Sequence, residues 1–155
     1  MAGAGRRAAA PRGAPRTTFH RDPRSARYPA RMPVDLDHLI VRSRDKRASA
    51  AFLAEMLGLP PPSAVGPGGR FHAIQLASGT SLDFADAGDQ FTPQHYAFAV
   101  TDPEFDAVLA RIHERRIPHW ADPQQTQPDQ VADRGGSRAV YFADPSNHWI
   151  EVLTR

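Results

Sequence analysis

The sequence states one order of elements twice, and that repeat constrains the fold more than any other feature. From residue 34 the pattern reads strand, helix, short strand, hairpin, and from residue 94 the same order runs again. Two copies of so small a unit cannot each bury a core alone, so they must share one. In the first copy, residues 34–41 have strand character with His38 in the middle. Ser43 and Asp45 suit caps of a helix in which Ala48, Phe52 and Met56 recur at helical spacing, and Gly58 ends it. Residues 60–69 hold four prolines and three glycines, so they are mostly turn, with room for a short strand at 63–65. Residues 71–76 and 80–85 read as a hairpin about Ser78-Gly79.

After a polar linker, residues 94–100 make a strand with His95 near its start. Asp102-Pro103 opens a helix as N-cap and first-turn proline, and Phe105, Val108, Leu109 and Ile112 lie along one of its faces. A short strand at 117–121, a polar loop at 122–136 and a hairpin of residues 138–142 and 148–153 complete the copy. Laid over one another, the copies match His38 with His95, 57 residues apart, and residues 73–76 with 139–142, 66 apart. With a hairpin turn two residues longer in the second copy, Asp83 then matches Glu151, 68 apart. A carboxylate between Ile150 and Val152 must face solvent, a partner charge or a metal, because burying it alone is too costly. Strand alternation sets His95, Ala97 and Ala99 on one face and Tyr96, Phe98 and Val100 on the other. Small residues beside the histidine leave room for a ligand.

The chain has no cysteine, so any metal must be held by His, Asp or Glu. No apolar run is long enough to span a membrane. The formal net charge of +2 conceals two regions. Residues 1–31 carry eight arginines and one aspartate, a balance of +7, which leaves −5 for the remainder. These first 31 residues, rich in Arg, Ala and Pro, lack the apolar side chains that would offset ordering, so disorder is expected. Phe19 and Tyr28 are too few aromatics for a nucleic-acid arm, serine is too sparse for a transit peptide, and Arg6-Arg7 precedes no apolar stretch. The expectation is a dispensable extension ahead of a folded domain at 32–155, cytoplasmic, with no nucleic-acid or membrane partner.

Three segments together resemble the vicinal oxygen chelate superfamily of glyoxalases, bleomycin-resistance proteins, fosfomycin-resistance proteins and extradiol dioxygenases. They are Leu-Asp-His-Leu-Ile-Val at 36–41, Gln-His-Tyr-Ala-Phe-Ala-Val at 94–100 and above all Asp-Pro-Ser-Asn-His-Trp-Ile-Glu at 144–151. The resemblance implies an α+β fold of paired βαβββ modules, residues 34–87 and 94–154, forming a half-open mixed-sheet barrel with helices outside. It implies His38, His95 and Glu151 as ligands of one divalent ion (zinc, nickel, cobalt, manganese or iron), with positions open for vicinal substrate oxygens. Asp83 stands where glyoxalases carry a glutamate, which makes it a candidate fourth ligand or base; a charge at the cavity wall is the alternative. Many relatives dimerise, which implies a homodimer.

Tyr141 resembles the tyrosine that approaches substrate in fosfomycin-resistance proteins, and the repeat makes Gln75 its mate. His119 and Trp120, ahead of a long loop, suit a cavity rim or simple packing. His72 and Arg138 suit surface or edge positions, His148 a structural place in the turn, and His20 and His113 solvent. The favoured function is a glyoxalase-like lyase or isomerase acting on a small oxygenated or thiol-adduct substrate, with Glu151 or Asp83 moving a proton beside a carbonyl. A ferrous-iron extradiol-type dioxygenase is the alternative, although such enzymes usually have four modules. A non-enzymatic drug-binding protein of the bleomycin-resistance kind and a fosfomycin-type thiol transferase rank below both.

Overall fold

The computed structural model describes residues 34–155, so the disorder expected of residues 1–31 and the boundary at 32 lie outside the described residues. The first copy of the repeat builds β1 (His38–Ser43), α1 (Lys46–Leu57), β2 (Ser63–Val65), β3 (Phe71–Gln75) and β4 (Ser81–Asp86). The second builds β5 (His95–Val100), α2 (Asp102–Glu114), β6 (His119–Trp120), β7 (Ala132–Asp133), β8 (Arg138–Ala143) and β9 (Trp149–Thr154). Each copy makes its own sheet, in the order β1-β4-β3-β2 and β5-β9-β8-β6, with β7 also paired to β8. In both, the first strand runs parallel to the last while the hairpin is antiparallel. The α+β class and the paired βαβββ modules are as expected. The two sheets, however, stay separate and do not close into a barrel.

Local chemistry sets the helix ends. Asp45 caps α1 by accepting the backbone N–H of Arg47 at 2.8 Å and of Ala48 at 3.0 Å, and these bonds hold its carboxyl below the usual range. Gly58 closes the helix at φ 68°, where only glycine is unstrained, and its N–H reaches the carbonyls of Ala54 and Glu55. The buried face of α1 is Ser49, Ala50, Leu53, Ala54 and Met56, so the expected stripe through Ala48 is shifted round the helix. Alanine at 48, 50, 51 and 54 lets more than one face satisfy the spacing. Helix α2 is capped one residue earlier than Asp102-Pro103 suggests: the N–H and hydroxyl of Thr101 both donate to Glu104. Its buried residues Phe105, Val108 and Ile112 follow the expected periodicity.

The hairpins correct the overlay of the repeats. Residues 76–80 and 144–148 make turns of equal length. Asp83 pairs with Ala73, whereas Glu151 pairs with Tyr141. The offset is therefore 68 throughout the hairpin, the two extra residues lie ahead of β8, and the mate of Tyr141 is Ala73 rather than Gln75.

One core unites the copies: Val41, Leu53, Met56, Ile74 and Phe84 of the first cluster with Phe105, Ile112, Phe142, Ile150 and Val152 of the second. The helices pack on their sheets and on each other. Polar bridges fix the junction. The hydroxyls of Ser49 and Ser146 meet at 2.8 Å, and Ser146 also accepts the N–H of Arg44. His148 is buried there. Its Nδ1 accepts the N–H of Gln94 at 3.0 Å, so Nε2 carries the proton and donates to the Arg42 carbonyl at 2.8 Å. That neutral imidazole is structural, as expected.

Candidate active site

Each sheet turns one face to the helices and one away from them. On the first sheet, strand alternation puts His38, Ile40, Ala73, Gln75, Ser81 and Asp83 on the outer face. His38 Nδ1 lies 2.9 Å from Asp37, whose hydrogen bond raises the imidazole above its ordinary pKa, with Asp83 adding to the effect. A carboxylate on Nδ1 orients the ring and reserves Nε2 for another partner, an arrangement that suits a metal-ligating histidine. Asp83 accepts the Ser81 hydroxyl at 2.6 Å. A cavity of about 400 Å³ covers this face, lined among others by His38, Gln75 and Asp83.

On the second sheet the outer face is ordered in cross-strand rows. His95 lies beside Trp149, and Trp149 beside Ala143; Ala97 lies beside Glu151, Glu151 beside Tyr141, and Tyr141 beside Trp120. Glu151 is the hub. One of its oxygens stands 3.2 Å from His95 Nε2, and the other accepts the Tyr141 hydroxyl at 2.5 Å. Arg134 Nη2 donates to the same hydroxyl at 3.2 Å. Burial, reinforced by the bond to Glu151, pushes the Tyr141 phenol up, so at neutral pH it is the donor in that pair. Trp120 and Trp149 face each other with centroids 5.4 Å apart.

Of the residues singled out in the sequence, His95, Glu151, Tyr141 and Trp120 gather on this second face, while His38, Asp83 and Gln75 gather on the first. His119 belongs to neither. It pairs with Phe142 on the helix side, is 6% exposed, and donates from Nδ1 to the Ile117 carbonyl. Adjacent strand residues point to opposite faces, so the rim position open to Trp120 is closed to His119. Arg138 pins the sheet edge to α2 through Asp102 and Asp106, with its guanidinium over the Phe105 ring. Sequence reasoning missed Trp149 and Arg134. Trp149 lies two residues before Glu151, so alternation alone puts both on one face. Arg134 comes from a loop without periodicity, and nothing in the sequence marks it.

Two imidazoles and a carboxylate suit a divalent ion by their chemistry. Their positions within one chain do not: among the described residues, no three His, Asp or Glu side chains converge closely enough to hold a metal. His95 and Glu151 meet, and His38 is on the other sheet.

A family model, the Glyoxalase/Bleomycin resistance protein/Dioxygenase superfamily, matches residues 35–152. Among solved structures, the chain is 45% identical to Oxidase ChaP-H1, covering 79% of this chain and 96% of that one at a TM-score of 0.74. It is 43% identical to Oxidase ChaP-H2, covering 80% and 95% at 0.75. A lactoylglutathione lyase from Agrobacterium tumefaciens is 18% identical over 80% and 96%, at 0.58, a likeness of fold alone. No curated protein matches the chain.

Proposed function

The chain belongs to the glyoxalase/bleomycin resistance protein/dioxygenase superfamily, and from that premise we propose that it is a divalent-metal-dependent oxidase of a small oxygenated substrate, with dioxygen as the electron acceptor. The observation that carries this reading is the high identity with two oxidases across the whole folded part, against a fold-level likeness to a lyase. It reverses the order of preference that the sequence suggests. His38, His95 and Glu151 are the proposed ligands, Tyr141 holds Glu151 in place, and Asp83 orients the first face. When bound, the ion would supply a Lewis-acidic centre for vicinal oxygens.

Because one chain divides these ligands between two faces, the proposed unit is a homodimer in which the first module of one copy meets the second module of the other. Three features support it. Both ligand-bearing faces turn away from the helices; among the described residues β1 and β5 are the outermost strands of their sheets; and β1 exposes Leu39 and Ile40 at 38% and 44%. A twofold axis makes the contact reciprocal and generates two equivalent sites.

The test is elemental mass spectrometry of the full chain together with an oxygen electrode. The expected result is about one divalent ion per chain, lost in His95→Ala and Glu151→Ala, and oxygen uptake with compounds bearing vicinal oxygens. Conversion of the methylglyoxal–glutathione hemithioacetal without oxygen uptake would transfer the assignment to the lyase. A chain that takes up no divalent ion at all would sink both.

A further inference from the structure

We propose that Arg134 is a positioning residue of the candidate site, acting through Tyr141 on Glu151. What this does for an ion or a substrate rests on the proposed oxidase site; the hydrogen-bond chain itself does not. The Arg134 guanidinium donates to the Tyr141 hydroxyl at 3.2 Å, and that hydroxyl donates to Glu151 at 2.5 Å. Arg44, Arg115 and Arg138 turn their guanidiniums to surface carboxylates instead. A tight hairpin holds the backbone of Arg134. Its N–H donates to the Ser137 carbonyl at 2.8 Å, and Gly135 and Gly136 between them take φ of 71° and 103°. Asp133 accepts both glycine N–H groups, at 3.1 and 3.3 Å. β7 pairs Ala132 with Ala139 and Asp133 with Arg138, so alternation sets Arg134 opposite Ser137, on the face that carries Tyr141 and Glu151.

A guanidinium has donors only, and a phenol has a single proton. With Arg134 on an acceptor position of the phenol oxygen, the proton of Tyr141 is directed to Glu151, and bonds in such a chain strengthen one another. The Glu151 side chain is only 13% exposed, so water does little to replace a lost donor. One carboxylate oxygen is thereby committed to Tyr141. The other remains for His95, 3.2 Å away, or for an ion. Without Arg134 the hydroxyl can rotate to other partners, and the carboxylate is free to turn with it.

Two readouts on the full chain test the proposal. In proton NMR of the metal-free protein, the Tyr141 hydroxyl, bonded at 2.5 Å in a residue 2% exposed, should give a downfield signal that Tyr141→Phe abolishes. Arg134→Met keeps the stem and removes the donors, and should speed exchange of that proton by at least about tenfold. In the metal-loaded protein, chelator competition should show Arg134→Met weakening the ion by about three- to tenfold. In a Tyr141→Phe background the same change should cost less than about twofold, because its path is gone. Thermal melts confirm that the variants fold. No downfield signal in wild type, an unchanged exchange rate in Arg134→Met, or an equal loss of affinity in both backgrounds would overturn the proposal. A chain that takes up no ion removes the oxidase reading, and the exchange rate alone then decides the role of Arg134.

Discussion

Glu151 was legible in the sequence because a lone carboxylate inside an apolar strand needs a partner, and its partners prove to be a tyrosine and a histidine on the two neighbouring strands. The Tyr141 hydroxyl fixes one oxygen of that carboxylate and so leaves the other directed at His95. Tyr141→Phe removes this constraint while keeping a ring in a position only 2% exposed, so the core is hardly disturbed. The expected outcome is a melting temperature within a few degrees of wild type and metal affinity weaker by roughly 10- to 100-fold, the usual cost of losing an outer partner of a ligand. Competition against a chelator of known affinity measures it. Unchanged affinity would remove Tyr141 from the positioning role. Arg134 could not have been found this way, because its contact to Tyr141 depends on the path of an irregular loop rather than on any period.

The elements were readable where chemistry is local and misread where it is not. Asp45 and Gly58 announced both ends of α1 correctly, since caps depend on a few adjacent backbone groups. The stripe on α1 and the register of the hairpins depend on long-range packing, and alanine-rich or weakly similar segments leave those choices open. Two predictions belong here. The Asp45 carboxyl is held below its ordinary value of 3.8 by N–H donors, so its capping contribution is fully present above that pH and is lost as pH falls through the lowered folded value. Asp45→Ala should therefore melt a few degrees below wild type at pH 7, and the gap should close in strongly acidic buffer; a gap independent of pH would disprove the charge-based account. Gly58→Ala puts a side chain at φ 68° and 3.1 Å from the Arg111 guanidinium. It should cost about 1–2 kcal/mol, read from urea unfolding, with the m-value unchanged.

At the scale of the molecule, the repeat made the modules legible but could not say which modules meet. A sequence read as one half-open barrel folds here into two separate sheets joined through a common core, with His38 on the outer face of one and His95 and Glu151 on that of the other. The same His–Glu complement can be joined within a chain only by dismantling the helix contact, the buried Ser49–Ser146 bridge and the bond from buried His148 to the Arg42 carbonyl. Joining it between copies leaves them intact. Complementation separates the two possibilities. His38→Ala and Glu151→Ala chains should each be inactive and metal-poor alone. Mixed in equal amounts under mild denaturant and allowed to re-form dimers, half of the dimers pair one variant with the other. In each of these one site collects both substitutions, while the other receives the intact His38 of one chain and the intact Glu151 of its partner. About a quarter of wild-type metal content and oxygen uptake should therefore return. A site built within a single chain carries one lesion in every copy, so mixing would restore nothing, and that result would end the shared-site proposal.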